Sequence, residues 1–382
     1  MAYLKVMKNA ALALLITGGV LGCKSTTEEK EAEPVVQNGQ NATQQKGLKD
    51  YYKDYFSVGV AVAPNTVEGE SAELLLTHFN SMTPENVMKM GPIHPEKNRF
   101  HWEDADKIAA FAREHDLKMR GHALVWHQQA GDWIFEDENG KQVDREELLG
   151  RMKTHIDSVV SRYKGTIYAW DVVNEAISDH PDELLRKSAW LEIIGEDFIA
   201  KAFEYARAAD PDAKLYYNDY NAIIPEKRDR IYKMLKSLVE NDVPIDGVGI
   251  QGHWSIFGPS EEELRKALDM YSSLGLEVQI TELDVSLYPW EKDQRELKPG
   301  ESDEFTPELE QKQLEAYDMF FKVFRDYKDV LTGVTFWNLS DRYSWLDHYP
   351  VEGRKNYPLL FDAEFKPKKA YYEVINFEEE EK

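Results

Sequence analysis

A single (β/α)8 barrel is the fold class that this chain predicts, and three observations carry the expectation. Eight short apolar runs alternate with helix-like stretches. Polar and aromatic residues gather at the C-terminal ends of those runs, the face where barrels place their working side chains. The body of the chain, about 330 residues, fits a barrel with insertions.

Taken in order, the expected strands begin with Phe56–Val62 and with Phe79–Thr83, which leads into Pro84, Glu85 and Asn86. Lys118–Trp126 carries His122 and Trp126 and runs into His127. Tyr168–Val173 stops at Asn174 and Glu175, and Lys214–Asn218 stops at Asp219 and Tyr220. Gly247–His253 carries Gln251 and His253, with Trp254 after it. Glu277–Leu283 brings Glu282 and Asp284, and Val334–Leu339 brings Trp337 and Asn338. Asp104–His115 and Asp197–Ala209 are the clearest intervening helices, with apolar residues at helical spacing. An extended acidic loop, Ser286–Gln311, follows strand seven and contains Trp290. It reads equally as an extension of a cleft or as a solvated lid edge. A doubly wound open sheet is the runner-up, but Gly59-Val60-Ala61 is not the glycine-rich phosphate turn that such a sheet shows after its first strand.

Composition narrows the partners. A formal charge of −24 argues against nucleic acid, whose phosphates would be repelled, and against docking on anionic lipid through basic patches. A neutral polymer remains compatible. The one cysteine, Cys23, allows no intrachain disulfide. Lys5 and Lys8 precede an apolar stretch, Ala10 to Leu21, too short to span a bilayer. Val20-Leu21-Gly22-Cys23 resembles a bacterial lipobox, although Leu21 is bulkier than usual there. The resemblance implies a lipoprotein signal peptide over 1–22 and lipid attachment at Cys23; an ordinary signal peptide with an incidental cysteine is the alternative. Residues 23–46 are polar without hydrophobic period and read as a flexible tether. The barrel is expected over 47–378. Lys24 and the acidic run after it resemble signals of outer-membrane, surface-exposed lipoproteins.

Glu175 and Glu282 each end an apolar run with a carboxylate. Strands four and seven lie three steps apart around an eight-strand ring, so their tips can face each other across the mouth. Two carboxylates so placed suit glycosidic-bond cleavage, with retention at about 5–5.5 Å and inversion at about 6.5–9.5 Å. Ionisation of one such carboxyl disfavours ionisation of its neighbour. His122, His127 and His253 do not match metal-ligand spacing, and no Gly-x-Ser-x-Gly elbow is present. No metal or other cofactor is expected.

Ser81–Lys89, Gly121–His127, Trp170–Glu175, Gln251–Trp254, Ile280–Asp284 and Thr335–Trp337 together resemble, in order, the glycoside hydrolase family 10 endo-β-1,4-xylanases. The resemblance implies a retaining enzyme in which Glu282 is nucleophile and Glu175 acid/base. It further implies that His253, oriented by Asp284, supports Glu282, and that Asn174 binds the 2-hydroxyl beside the scissile bond. Glu85, Asn86 and Lys89 resemble the grip on the next sugar. His122, Trp126, Trp337 and Trp345 resemble walls around the central sugar, and Gln251, Asn218 and Tyr220 are further cleft candidates. The segment Asp341–Pro358, with Tyr343, Trp345, Tyr349 and Tyr357, is a sugar-contacting loop on this reading. Xylan or xylo-oligosaccharide is the implied partner. The rival readings are a retaining barrel hydrolase on another β-glucan and a non-catalytic surface glycan-binding protein.

Overall fold

The structure, a computed structural model, describes residues 46–379. Cys23, the expected signal peptide and all but the last residue of the expected tether lie outside the described residues.

Eight strands form the frame: β1 (Ser57–Val62), β2 (Ser81–Pro84), β3 (Lys118–Gly121), β4 (Ile167–Asn174), β5 (Lys214–Asp219), β6 (Gly247–Ile250), β7 (Glu277–Ser286) and β8 (Leu331–Phe336). Each pairs in parallel with the next. β8 pairs with both β7 and β1, which closes the ring and rules out the open-sheet alternative. Two short pieces, Val125–Trp126 against β4 and His253–Ser255 against β7, prolong the barrel wall at its C-terminal rim.

Burial explains the apolar runs. Every residue of β1 and of β2 is buried. A strand covered on both faces has no reason to alternate, which is why these segments read as continuous runs. The surrounding helices bury one stripe each. In the helix Glu103–Glu114 the buried residues are Ala105, Ile108, Ala109 and Ala112, at helical spacing. Helix starts are fixed locally. Asp144 caps Arg145–Arg162 through the Glu147 amide at 2.9 Å, and Ser260 and Glu263 cap each other at the head of Glu261–Ser272.

The barrel interior is polar as well as apolar. Arg120 on β3 and Asp171 on β4 form a fully buried pair at 2.6 Å. Two buried charges of opposite sign hold each other in place, and removing one would leave the other unpaired, at a cost of about 3–5 kcal/mol. Lower in the barrel the Gln279 amide donates to the hydroxyls of Tyr216 at 3.1 Å and Thr332 at 3.0 Å. Gly121 is required where β3 passes β4, since a Cβ there would lie 2.1 Å from the Trp170 ring.

Several strand bounds differ from the sequence expectation. The expected third strand stops at Gly121 and resumes at Val125, because His122–Leu124 bend inward and bring His122 to Asp171. The sixth stops at Ile250 and resumes at His253, with Gly252 between at φ +81°, a conformation open to glycine. Strand seven runs on to Ser286 and strand eight starts earlier, at Leu331, where it pairs with Val278. Strand eight also ends earlier, at Phe336, because Asn338 has φ +113°.

The segment after β7 is tied to the one after β8. Arg295–Glu296 pairs in parallel with Val351–Glu352. Among the described residues no helix is long and apolar enough to cross a membrane.

Candidate active site

Glu175 is the residue immediately after β4. Its backbone is left-handed, φ +57°, which costs a side-chain-bearing residue about 1–3 kcal/mol. Neighbours hold it there: its amide donates to the Asn218 carbonyl at 2.9 Å, and its own carbonyl accepts from Arg186 Nε at 3.0 Å. The turn throws the carboxyl into the mouth. There Oε2 accepts from Trp126 Nε1 at 2.8 Å, and Oε1 accepts from Gln251 Nε2 at 2.9 Å and Asn174 Nδ2 at 3.2 Å.

Glu282 lies within β7 and is buried. Oε1 accepts from Asn218 Nδ2 at 2.8 Å, and Oε2 meets His253 Nε2 at 3.1 Å. The other ring nitrogen of His253 meets Asp284 Oδ2 at 2.8 Å, and the same oxygen accepts from Trp345 Nε1 at 2.9 Å. Because Glu282 and Asp284 are two apart on a strand, both reach one side and clasp the same imidazole.

The electrostatics follow from this packing. Burial pushes His253 down, but the charge and hydrogen bond of Asp284, then those of Glu282, carry it up to about 10. At neutral pH it is therefore an imidazolium between two carboxylates. Burial pushes the Glu282 carboxyl up, yet the hydrogen bond from His253, the charges of His122 and His253 and the Asn218 amide hold it at about 2. Glu282 is thus ionised, desolvated and fixed in direction, as a nucleophile needs.

Two amides join the carboxylates. Asn218 Nδ2 donates to Glu282 and, at 2.9 Å, to Asn174 Oδ1, while Asn174 donates to Glu175. Thr281 Oγ1 fixes the Asn218 orientation by donating to its Oδ1 at 2.6 Å.

The remaining expected residues surround this pair. Lys89 donates to Asn86 Oδ1 at 2.8 Å and sits 5.0 Å from the centre of the Trp126 ring. Burial pushes Lys89 down, against the pull of Glu282, Glu85 and Glu175, so it faces all three acids. Burial raises the Glu85 carboxyl, opposed by Lys89 and by hydrogen bonds from Asn338 and Asn86. Trp337 is buried between the rings of His122, at 5.4 Å, and His253, at 6.2 Å. Trp345 stands edge-on to His253 at 5.0 Å. Tyr220 touches neither acid: its hydroxyl is taken by Arg186, at 2.6 Å, and by Asp179, under the Lys227 ammonium.

Two local expectations need correction. Gln251 and His253, two apart in the expected sixth strand, would point the same way if that strand ran unbroken. Gly252 breaks that strand, so Gln251 serves Glu175 and His253 serves Glu282. His122 and Trp126, four apart in the expected third strand, would share a face if it ran unbroken, but the bend at His122–Leu124 separates them: His122 binds Asp171 and Trp126 binds Glu175.

Sequence reasoning assigned no role to Arg186, Asp171 or Thr281. Asp171 had a signal, an acid inside an apolar strand. Arg186 had none, because only the folded turn brings it to the Glu175 carbonyl. His127 lies 4.0 Å from Glu175 Oε2, and burial, then Arg186 and Lys227 against Asp179, push it down to about 4. Among the described residues no three His, Cys, Asp or Glu side chains are grouped to hold a metal ion.

Residues 47–377 match the model of the glycosyl hydrolase family 10. The endo-1,4-beta-xylanase A of Caldicellulosiruptor saccharolyticus is 49% identical over 86% of this chain and 95% of its own length. The endo-1,4-beta-xylanase of Geobacillus stearothermophilus is 46% identical over 86% of this chain and 98% of its own. A solved mutant in complex with xylotriose superposes with a TM-score of 0.84 at 46% identity, covering 87% of this chain and all of that one (100%). With a closed eight-stranded parallel barrel, two carboxylates at its mouth and this match over nearly all the described residues, the chain belongs to glycosyl hydrolase family 10.

Proposed function

We propose that the chain is a retaining endo-β-1,4-xylanase that cleaves internal bonds of xylan through a covalent glycosyl-enzyme. The observation that carries the reading is the unequal treatment of the two acids. Glu282 is locked as a carboxylate by His253 and Asn218, whereas among the described residues the hydrogen-bond donors to the Glu175 carboxyl are the neutral Trp126, Gln251 and Asn174.

In the first step a Glu282 oxygen attacks the anomeric carbon, the glycosidic C–O bond breaks, and Glu175 gives its proton to the departing oxygen. The Glu282 charge disappears into the ester. In the second step Glu175, now ionised, takes a proton from water; the water oxygen bonds to the anomeric carbon, and Glu282 leaves as a carboxylate. Asn174, already hydrogen-bonded to Glu175, is placed to hold the 2-hydroxyl as the ring flattens. Lys89, Asn86 and Glu85 grip the neighbouring sugar. Trp337 and Trp345 wall the central one, where a hexose hydroxymethyl group would clash and xylose, which lacks it, fits.

The barrel over 47–378 would be carried by a tether, 23–46, on a lipid at Cys23 after removal of 1–22, at the outer membrane and facing outward. The n-region, apolar stretch and lipobox-like residues support the anchor, and Lys24 with the acidic run after it supports the outer-membrane, outward-facing placement.

Product sizing on glucuronoxylan and on carboxymethylcellulose tests the activity. Short xylo-oligosaccharides from the first and nothing from the second are expected, with Glu282→Ala inactive. Cleavage of the glucan instead would move the assignment to another β-glucan. Binding without turnover would favour a glycan-binding protein. For the anchor, metabolic fatty-acid label should enter the full chain and be lost in Cys23→Ala; label retained in that variant would refute it.

A further inference from the structure

In the segment between β7 and Pro307 two acids, Glu291 and Glu301, meet one guanidinium, Arg295. Arg295 reaches Glu291 through Nε at 2.6 Å and Nη2 at 2.9 Å, and Glu301 through Nη1 and Nη2, both at 2.8 Å. Arg354, from the segment after β8, reaches the same two acids at 2.8 Å and 3.2 Å. The four side chains close a ring that spans two loops. Arg354 is buried, its guanidinium 3.9 Å from the centre of the Tyr288 ring. A buried cation needs its carboxylates, so the loops are held together by more than surface attraction. Backbone bonds reinforce the ring: Arg295 donates to the Pro350 carbonyl at 3.0 Å and Leu297 to the Glu352 carbonyl at 3.2 Å.

Glu291 follows Trp290, and here the ring reaches the chemistry. Trp290 is 5.6 Å from Tyr349 and 6.4 Å from Trp345, and Tyr349 stacks on Trp345 at 5.6 Å. Trp345 donates to Asp284, which holds His253, which holds Glu282. Trp345 sits in a single 3-10 turn, Trp345–Asp347, with no long element to hold it. Its indole is held by the Asp284 hydrogen bond on one side and by the rings of Tyr349 and Trp290 on the other.

We propose that Arg295, Arg354, Glu291 and Glu301 are positioning residues for the reaction. By clasping the segment after β7 to the segment after β8 they seat Trp290 and Tyr349 against Trp345, and so fix the indole that aims Asp284 and His253 at the nucleophile. The inference rests on the hydrolase reading above. It also assigns a role to the long loop that neither a cleft extension nor a solvated edge would give it.

The test compares the parent with Glu291→Gln/Glu301→Gln on two substrates: an aryl β-xylobioside, which places no sugar beyond the scissile bond, and xylan. The expected result is a fall in kcat of about ten-fold on both, with KM for the aryl substrate little changed, since a small displacement of a catalytic group costs one to two orders of magnitude. A fall on xylan alone would mean that the loop only lines the cleft, and would overturn the proposal. So would unchanged kcat on both. Should the double variant not fold, Trp290→Ala leaves the ring intact and removes the side chain that it seats against Trp345. It is expected to lower kcat on the aryl substrate, and unchanged kcat would equally overturn the proposal. A parent inactive on both substrates would instead remove the hydrolase reading itself.

Discussion

Removing His253 gives the sharpest view of how the nucleophile is held. Its imidazolium contributes the hydrogen bond, and part of the positive charge, that keep buried Glu282 near 2 rather than the ordinary 4.5. That difference corresponds to roughly 3 kcal/mol in favour of the carboxylate. In His253→Ala, burial would still push Glu282 up, and Asp284, stripped of its cation, would repel it. His122, Asn218 and the Lys89 ammonium would still oppose them. Glu282 should therefore titrate at higher pH. The assay is the pH dependence of kcat/KM on an aryl β-xylobioside, whose acid limb reports the free-enzyme nucleophile. The limb should move upward, while the rate at neutral pH falls by roughly ten-fold from lost aim. An acid limb that stays at the parent position would refute the idea that His253 sets the charge on Glu282.

Three further outcomes follow from named contacts. Glu175→Ala should lose most activity on xylan, whose leaving oxygen needs a proton, yet still form the glycosyl-enzyme from an activated aryl xylobioside; added azide should then be captured as a β-glycosyl azide, and an α product would contradict the double displacement. Burial pushes His155 to about 3, His78 to about 4 and His127 to about 4, so the unfolded chain takes up these protons near 6.5 while the folded one does not. Their share of the stability is complete above 6.5 and drains away as pH falls, by roughly 1.4 kcal/mol per histidine per pH unit. Urea midpoints at pH 7, 6 and 5 should decline in that order, and a flat series would argue against it. Gly121→Ala would put a methyl 2.1 Å from the Trp170 ring, so the melting temperature should drop, by an amount equivalent to about 1–3 kcal/mol, and an unchanged melt would show that the ring has room to yield.

What was legible in the sequence was the part written in strand periodicity. Eight apolar runs ending in polar residues imply a barrel and a working face, because a strand buried on both sides leaves only its tip for polar groups. The helices Glu103–Glu114 and Phe198–Ala209 fall within a residue of their expected bounds for the same reason. The departures come where tertiary contacts override period. Asp171 draws His122 inward and breaks the third strand. The left-handed Gly252 breaks the sixth and sends Gln251 and His253 to different acids. The partners of the Tyr220 hydroxyl, Arg186 and Asp179, do not announce themselves in the chain either. The ring of Arg295, Arg354, Glu291 and Glu301 is invisible for a related reason: it joins residues up to 63 positions apart.

The central claim is that Glu282 bonds covalently to the sugar. An aryl xylobioside bearing fluorine in place of the 2-hydroxyl slows both steps, and with a very good leaving group it lets the ester accumulate. After brief incubation, intact-mass and peptide mass spectrometry should find one added glycosyl unit per chain, on the peptide containing Glu282, and none in Glu282→Gln. A label on Glu175, or inactivation without any covalent adduct, would contradict the account.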